Sequence, residues 1–557
     1  MHIKKILRFC TFLLMFLFFI GISTGFSDDK TVKVDALFAQ WDNTESPGCA
    51  LAIIQNGKII YKRGYGMANL ELDVPISPQS VFYIGSVSKQ FVSASIGLLA
   101  IQGKLSLDDD IRKYVPEIPE YGTPITVRHL IHHTSGMRDY LTLLSIAGVD
   151  FGSYHEQDVL DLLARQKELN FKPGEEHLYS NSGYFMLSVI VHRASGKTLR
   201  EFADEFIFKP LGMNNSRFHD DYMQLIKNRA TGYFPAGKGQ FRNFISTFDN
   251  VGSGGLFTSI EDLHLWDQNF YSFKVGGKEL YDLMHTKGKL NSGSELDYAF
   301  AIDISSYKGL NIEEHGGALG GYRSALTRFP EKNFSVVVLS NLSSANPSNL
   351  AFRVADIYLS DYYKEEPTKA EFEEMNKIEL PEHKLTDKVG YYINTNSGAV
   401  YRIRLVKGQL QFSGMGQNLA LGALAEDEFF VTGIPQIITM KFEKSDEGHN
   451  NLEITQEGSP LLTYKSFKPI QPTAEEFKEY TGEYSSDELD TTFKIELIKN
   501  RLRFTHRNAP QGTLQTNYKD IFRIGNLRLI FSRDSSGQIT SFIVNAGRVT
   551  NLRFYKK

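Results

Sequence analysis

From residue 389 onward the chain repeats itself. Tyr401–Phe412 matches Phe493–Phe504, an offset of 92 (493 − 401). At the same spacing Val389-Gly390-Tyr391-Tyr392 matches Thr481-Gly482-Glu483-Tyr484, and Glu428-Phe429-Phe430 with Gly433 matches Asp520-Ile521-Phe522 with Gly525. Three blocks at one offset mark a duplicated module. Apolar residues alternate at Tyr401, Ile403 and Leu405 and resume at Leu410 and Phe412 after a Lys407-Gly408 turn, the pattern of a half-buried hairpin. Strands of this kind are expected to close into small barrels, because closure removes exposed edges.

The region before the repeat has a different pattern. Cys49–Ile54, the turn Asn56-Gly57 and Ile59–Tyr61 read as a hairpin. Helical periodicity follows at Ser86–Gln102, Gln157–Ala164, Gly183–Ala194 and Leu199–Phe206. Another helix starts at Ser259, with Glu261-Asp262 in its first turn. Strand-like runs come next at Tyr298–Ile304, Tyr322–Phe329 and Phe334–Leu339, and a last helix near Asn349–Tyr362. Strands at both ends with helices between predict an α+β domain: one antiparallel sheet built from both ends, flanked by helices, with a helical insertion. The charged stretch Lys364–Lys377 reads as a linker. The expected organisation is a mixed domain over 31–363, a linker over 364–378, and β-barrel-like repeats over 379–470 and 471–557.

The N-terminus carries Lys4, Lys5 and Arg8, an uncharged apolar run from Phe9 to Ile22, then small residues Ser23, Gly25 and Ser27. This is the order of a secretory signal over residues 1–27, and the run is shorter than the ~20 residues of a membrane span. The expectation is an exported protein, periplasmic or secreted, without a membrane span after signal removal; an uncleaved anchor is the alternative. Of two cysteines, Cys10 would leave with the signal. Cys49 would then stand alone as an inert thiol in an apolar strand, which excludes a disulfide scaffold and a cysteine-built metal site. A net charge of -4 gives no footprint for nucleic acid or an anionic membrane.

Three short motifs carry chemistry. Ser86-Val87-Ser88-Lys89 opens a helical pattern, and residues three apart share a helix face, so Lys89 is expected to point at Ser86. A serine hydroxyl needs a base to take its proton, and a buried amine with a lowered pKa can serve. Tyr179-Ser180-Asn181 follows a Pro173-Gly174 turn and is expected on a loop; a tyrosine beside a lysine can pass a proton to a leaving group, and an asparagine can hold an amide. His315-Gly316-Gly317 offers glycines that let a strand edge approach a ligand. The neighbours His132 and His133 diverge on a helix and read as structural residues ahead of the Thr134-Ser135-Gly136 turn rather than as a metal pair.

Together and in this order, the motifs resemble those of the penicillin-recognising serine enzymes, in the branch with Tyr-x-Asn as second motif: class C β-lactamases, D-aminopeptidases, DD-carboxypeptidases and related esterases. The resemblance covers about Val34 to Tyr362 and takes in Leu130–Gly136, Gly252–Leu256 and Pro47–Leu51. It implies a serine β-lactamase-like fold, Ser86 as acylated nucleophile, Lys89 as its base and Tyr179 as general acid/base. It also implies Asn181, His315 and Gly317 as substrate-binding positions, and an oxyanion hole from the backbone N–H groups of Ser86 and Ala318. No metal or cofactor is implied. Where β-lactamases carry Lys-Thr-Gly this chain has His-Gly-Gly, and a neutral histidine would hold a substrate carboxylate more weakly than lysine. D-Aminopeptidases of this kind also carry two C-terminal β-barrels, which the duplicated tail resembles.

The expected function is cleavage of an amide or ester through a covalent acyl-enzyme, with a D-aminopeptidase- or DD-carboxypeptidase-like peptidase first. Small peptides or esters, and peptidoglycan fragments, are the candidate partners. An esterase or weak β-lactamase on the same site is the alternative. A third reading is a catalytically silent protein whose barrels bind peptidoglycan or another ligand. The tail contains no second nucleophile–base pair. It is expected to influence access to the site without supporting the core of the catalytic region.

Overall fold

The computed structural model describes residues 29–557 apart from 150–153, 246, 248, 365–377, 415–416, 435–437, 445–449, 457–460 and 507–508. The run read as a signal and nearly all of the charged linker lie outside the described residues.

The first sheet has six strands: β1 (Cys49–Gln55), β2 (Lys58–Tyr65), β3 (Asp303–Tyr307), β4 (Leu310–Leu319), β5 (Tyr322–Phe329) and β6 (Phe334–Ser340). Their order is β3-β4-β5-β6-β1-β2, antiparallel throughout. Cys49 lies opposite Ser340, so both ends of the domain do meet in one sheet. The β1–β2 turn places Asn56 at φ 50 and Gly57 at φ 77, the left-handed pair that Asn-Gly tolerates best. Strand β1 is buried on both faces, which explains its continuous apolar run. Cys49, Leu51 and Ile53 face a core shared with α1 (Asp29–Phe38) and a C-terminal helix over Pro347–Leu359. Ala50, Ala52 and Ile54 face the larger core beneath the helical insertion, which includes α2 (Lys89–Ile101), α3 (Asn181–Ser195) and α4 (Ile260–Ser272). Cys49 is fully buried and its thiol is pushed up to about 12, an inert group.

One expected strand is mostly absent. In Tyr298–Ile304 the ladder begins at Asp303; Tyr298–Ile302 form a buried turn in which Ala299 N donates to Ile302 O and Ala301 takes φ 57. A short apolar run signals burial, and here burial comes with a single isolated bridge, Tyr298 to Asp303, in place of a ladder.

The tail forms two separate β sheets. Gly390–Phe467 close into an eight-stranded barrel. Gly482–Lys556 form a nine-stranded sheet whose two edges, Ala509–Thr513 and Gln515–Tyr518, are consecutive in the chain, so the sheet is nearly closed. The repeat is structural as well: Gly390–Asn394, Ala399–Val406 and Gln409–Gly414 recur as Gly482–Ser486, Thr491–Ile498 and Arg501–His506. Tyr392 Oη donates to Lys388 O (2.8 Å), and Tyr484 Oη donates to Tyr480 O (3.0 Å) in the second copy.

The second module is not an appendage. Its apolar core is continuous with that of the catalytic region. At the seam lies Arg138, with 0% of its side chain exposed against 6% for its partner Glu488. The guanidinium donates to Glu488 Oε2 (2.6 Å), Gln166 Oε1 (3.1 Å), Thr550 O (3.0 Å) and Asn551 O (3.0 Å). This contact bears against the sequence expectation of a catalytic core indifferent to the tail: three of the four acceptors of the Arg138 guanidinium belong to the second module. Glu488→Ala leaves the buried Arg138 charge without its carboxylate partner, which costs about 3–5 kcal/mol. The expected outcome is a clear drop in the urea midpoint followed by tryptophan fluorescence, since Trp41 and Trp266 both report on the catalytic region. A chain ending at residue 378 should fail to give the native fluorescence.

Candidate active site

A tight turn over Gly85–Ser88 leads into α2, so Ser86 stands one turn ahead of Lys89. Lys89 is fully buried. Its Nζ lies 3.0 Å from Ser86 Oγ and 3.0 Å from Asn181 Oδ1, and it is also bonded to the Ser253 carbonyl. That carbonyl comes from Gly252–Gly255, a segment that passes too close to its neighbours for side chains. A Cβ at Gly252 would lie 2.5 Å from Tyr184 O, and one at Gly254 would lie 2.3 Å from Tyr83 Oη. Tyr83 Oη in turn accepts from Gly255 N (2.8 Å), and Tyr140 Oη holds Ser253 Oγ at 2.8 Å.

The second motif lies on the edge of a helix rather than wholly on a loop. Asn181 is the first residue of α3, and its N–H donates to Asp139 Oδ2 (2.8 Å). The Asn181 side chain, expected as a substrate ligand, is engaged by Lys89. Tyr179 is half-buried, with its ring centroid 5.0 Å from Lys89 Nζ.

The third motif lies in β4, which pairs with β3 only up to Glu314. Residues 315–319 are therefore an open edge on that side, and this edge runs along the Ser86 turn. A Cβ on Gly85 would sit 2.6 Å from Ala318 N, and one on Gly317 would sit 2.0 Å from Ile84 O. These two glycines let the strand come close enough for the Ala318 N–H to share a site with Ser86. Ser324 Oγ, donating to Ile84 O (2.6 Å), fixes the spacing.

His315 belongs to a chain of hydrogen bonds that the sequence did not disclose. Ser180 N donates to His133 Nδ1 (3.1 Å), which leaves the His133 proton on Nε2 to donate to Tyr298 Oη (3.2 Å). Tyr298 then donates to His315 Nε2 (3.1 Å), and the His315 proton on Nδ1 goes to Gly316 O (2.7 Å). Both rings are neutral in this arrangement. Burial pulls His133 well down, with Lys89 adding to the effect, and burial, with Lys89 again adding, brings His315 down to about 4. His315 lines the cavity, but both of its ring nitrogens are engaged. His133, read as a structural residue, takes φ 57, and its buried ring ties the second motif to the third through Ser180 N and Tyr298 Oη.

A cavity of about 800 Å³ opens over these groups. Ser86, Tyr179, Asn181, His315, Gly317 and Ala318 line it, with Lys89 behind Ser86. Three charged groups that the motifs did not reveal also line it: Asp303, Arg323 and Arg548. Burial raises Asp303 to about 7, with Glu314 and Asp297 contributing. No pattern around Asp303 or Arg548 in the sequence points to the site; the turn at Tyr298–Ile302 and the docking of the second module put them there. Among the described residues no three His, Cys, Asp or Glu side chains converge as metal ligands.

The electrostatics divide the chemistry. Burial holds the Lys89 amine well below its usual range; Asp139 opposes this and Arg548 adds to it. A neutral amine has two N–H donors and one lone pair. The carbonyl oxygens of Asn181 and Ser253 take the two donors, which turns the lone pair toward the Ser86 hydroxyl. Burial pushes Tyr179 up, so its hydroxyl keeps its proton. The site thus presents a base and an acid on either side of one serine.

The family described as Beta-lactamase matches residues 34–357, more than half of the chain. The chain is 27% identical over 325 residues to a D-aminopeptidase of Gluconobacter oxydans (strain 621H), across 58% of this chain and 61% of that one. It is 24% identical over 524 residues to a D-aminopeptidase of Brucella anthropi, across 90% and 93%. The match thus spans under two thirds of the first relative and nearly all of the second. Among solved structures, the octameric penicillin-binding protein homologue from Pyrococcus abyssi aligns with a TM-score of 0.55 at 25% identity, across 78% of this chain and 100% of that one.

Two outcomes follow from the geometry. Gly317→Ala would drive a Cβ against Ile84 O and push β4 off the Ser86 turn. It should slow labelling of Ser86 by a serine-directed phosphonate by about a hundredfold, roughly the effect of losing one oxyanion donor, while circular dichroism stays native. The second outcome is acid sensitivity. His315 shifts from 6.5 to about 4, so between those values the unfolded chain binds the extra proton and the folded one does not. Its contribution is complete above pH 6.5 and is lost as pH falls toward 4, by roughly 3 kcal/mol. Urea midpoints at pH 7.5, 5.5 and 4.5 check this, and a shallower fall in His315→Gln identifies the group.

Proposed function

The chain belongs to the beta-lactamase family, and from that premise we propose that it is a serine hydrolase cleaving an amide or ester bond through an acyl-enzyme on Ser86. The observation that carries the reading is the buried Lys89 amine, 3.0 Å from Ser86 Oγ, with two carbonyl acceptors for its own protons. Lys89 takes the Ser86 proton as Oγ attacks the carbonyl carbon. The oxyanion forms between the N–H groups of Ser86 and Ala318. Tyr179 gives its proton to the departing nitrogen or oxygen and is reprotonated from Lys89, and water then releases the acyl group by the reverse path.

Within this class the proposed substrate is a small peptide with a free amino terminus, D-configured at the first residue. Two observations support it. The similar proteins named above are D-aminopeptidases. Asp303 is the acidic side chain lining the cavity, and a carboxyl poised near 7 ionises readily beside an incoming ammonium. β-Lactam turnover should be poor, because the third-motif position holds a neutral, hydrogen-bonded histidine in place of a cation. Export is proposed from the signal-like order of residues 1–27 alone, and peptidoglycan fragments are the natural peptides of D configuration outside the cytoplasm.

The test is a fluorophosphonate probe followed by peptide mapping, together with matched p-nitroanilides. Ser86 alone should be labelled, and Ser86→Ala should lose both labelling and turnover while keeping its melting temperature. A D-aminoacyl anilide should be cleaved faster than its L-enantiomer and than its N-acetylated form. Label on another serine would defeat the nucleophile assignment; equal rates on all three anilides would defeat the aminopeptidase reading but leave the hydrolase.

A further inference from the structure

A second cavity, of about 670 Å³, opens where the two C-terminal modules meet, and it shares no lining residue with the cavity above Ser86. Its volume is in the range of small-ligand sites, roughly 300–1,000 Å³. The seam around it is fixed by named contacts. Asn545 Nδ2 donates to Asn396 O (3.2 Å) and Ser397 O (3.3 Å), and Ile470 N donates to Asn517 O (2.9 Å). Phe467 of the first module packs edge-on against Tyr518 of the second, with ring centroids 5.0 Å apart.

The strands Ile521–Ile524 and Leu527–Arg533 form one wall. Phe522 lies opposite Leu529, and both belong to the core. Alternation turns the neighbouring pairs outward: Ile521 opposite Ile530, and Arg523 opposite Arg528. The first module covers the isoleucines, since a Cβ on Gly398 would lie 3.3 Å from Ile521 Cγ2 and 3.3 Å from Ile530 Cγ1. The two arginines, further along the same face, line the cleft.

That pair works against the sheet, because like charges directly opposite on neighbouring strands destabilise it. Neither guanidinium has a hydrogen bond or ion pair to a described residue; Arg528 stands near the buried phenol of Tyr464, which burial keeps neutral. The repeat does not require the pair either. At the offset of 92, Arg523 corresponds to Val431 (523 − 92), which is 1% exposed.

The facing wall adds a third cation. Arg404 Nη2 donates to Ser413 Oγ (3.0 Å) and Asn418 Oδ1 (2.7 Å), both of lining residues, while its Nε is buried without a partner among the described residues. Gln515, Asn517 and Asn526 bring three more side-chain amides, and among the described residues no Asp or Glu lines the cleft. Guanidiniums without a carboxylate partner match the oxygens of a carboxylate or phosphate. Side-chain amides both donate and accept, which suits hydroxyl groups. An acidic sugar carries both kinds of group. A nucleic-acid strand fits less well: its bases stack on exposed aromatic faces, whereas Tyr401 and Phe522, the aromatic residues of the lining, are buried.

We propose that this cleft binds an acidic oligosaccharide, with Arg523 and Arg528 on its carboxylate or phosphate groups and the amides on its hydroxyls. The site is independent of the chemistry at Ser86 and gives the tail a ligand of its own.

The experiment is calorimetric titration of the full chain with two acidic saccharides, a short oligogalacturonate and a phosphorylated oligomannoside. Each is compared with its neutral counterpart, methyl-esterified or dephosphorylated. At least one acid should bind more tightly than its neutral form by about tenfold, the effect of a charged hydrogen bond, and which one it is identifies the anionic group. Arg523→Gln and Arg528→Gln should each remove that preference, and Arg523→Lys should keep part of it. Both Gln variants should melt no lower than the wild type, since each relieves the repulsion, and should label at Ser86 at the wild-type rate. Arg501→Gln, at an exposed arginine of the same module outside the cleft, should bind like the wild type. The proposal is overturned if neither acid is preferred, if the preference survives in both Gln variants, or if Arg501→Gln loses it equally. Tighter binding of oligothymidylate than of either saccharide overturns the glycan assignment.

Discussion

A lysine amine held out of water is the constraint on which the site depends. In solution the group would be charged and useless as a base; buried, its charged form is disfavoured. The surroundings then decide what the neutral amine can do. Two acceptors, Asn181 Oδ1 and Ser253 O, orient it, and each is itself held by the fold. Asn181 is fixed through its N–H to Asp139, and Ser253 through a segment whose glycines permit close passage. Moving either acceptor would release an N–H of the amine toward Ser86 and turn the lone pair away from it.

The antiparallel sheet supplies the second half of the site through a mismatch of strand lengths. Strand β4 runs five residues beyond the end of its pairing with β3, so its backbone groups there are not consumed by the ladder. An open edge is ordinarily a hazard in a β protein. Here the Ser86 turn covers it, and Gly85 and Gly317 permit an approach that any side chain would block. Below the strand, Arg328 ties β5 to Asp267 of α4 (3.0 Å) and to Glu313 of β4, so the sheet and the helical insertion are locked in register beneath the cavity.

Much of this was legible in the sequence where chemistry is local. The Ser86–Lys89 spacing is a property of one helical turn, the Asn56-Gly57 hairpin of two dihedral pairs, and the duplication of a constant offset. The barrel-like tail and the mixed catalytic domain follow from periodicity. What escaped depends on contacts between distant segments. Asp303 reaches the cavity because Tyr298–Ile302 turn instead of forming a ladder. The partners of the structural His133, Ser180 and Tyr298, are 47 and 165 residues away, so its link between the motifs was not legible. Arg548 and Arg138 look like ordinary surface cations until the second module docks. Asn181, assigned by type as a substrate ligand, does line the cavity; that its carbonyl oxygen also accepts from the lysine could not be read from the sequence.

The docking of that module also explains why the tail can bear on chemistry without contributing a nucleophile. Residues 133–140 form a common reference frame. His133 fixes the Ser180 N–H, and Asp139 fixes the Asn181 N–H. The Arg138 carbonyl accepts from Ser182 Oγ (2.6 Å). Those bonds position the second motif. The same segment fixes the Gly547-Arg548 hairpin of the second module through the Arg138 guanidinium and the Asp139 N–H, and Asn170 holds Thr550 N. Tyr179 and Arg548 are therefore placed by neighbouring atoms of one stretch of backbone, although 369 residues (548 − 179) separate them in the chain. A flexible loop could bring a cation to the cavity part of the time; a hairpin in a nearly closed β sheet, bonded at four backbone groups, holds it there. Altering the length of the hairpin would then change substrate preference while Ser86 and Lys89 remain in place, because the two anchors meet only at the segment that carries them.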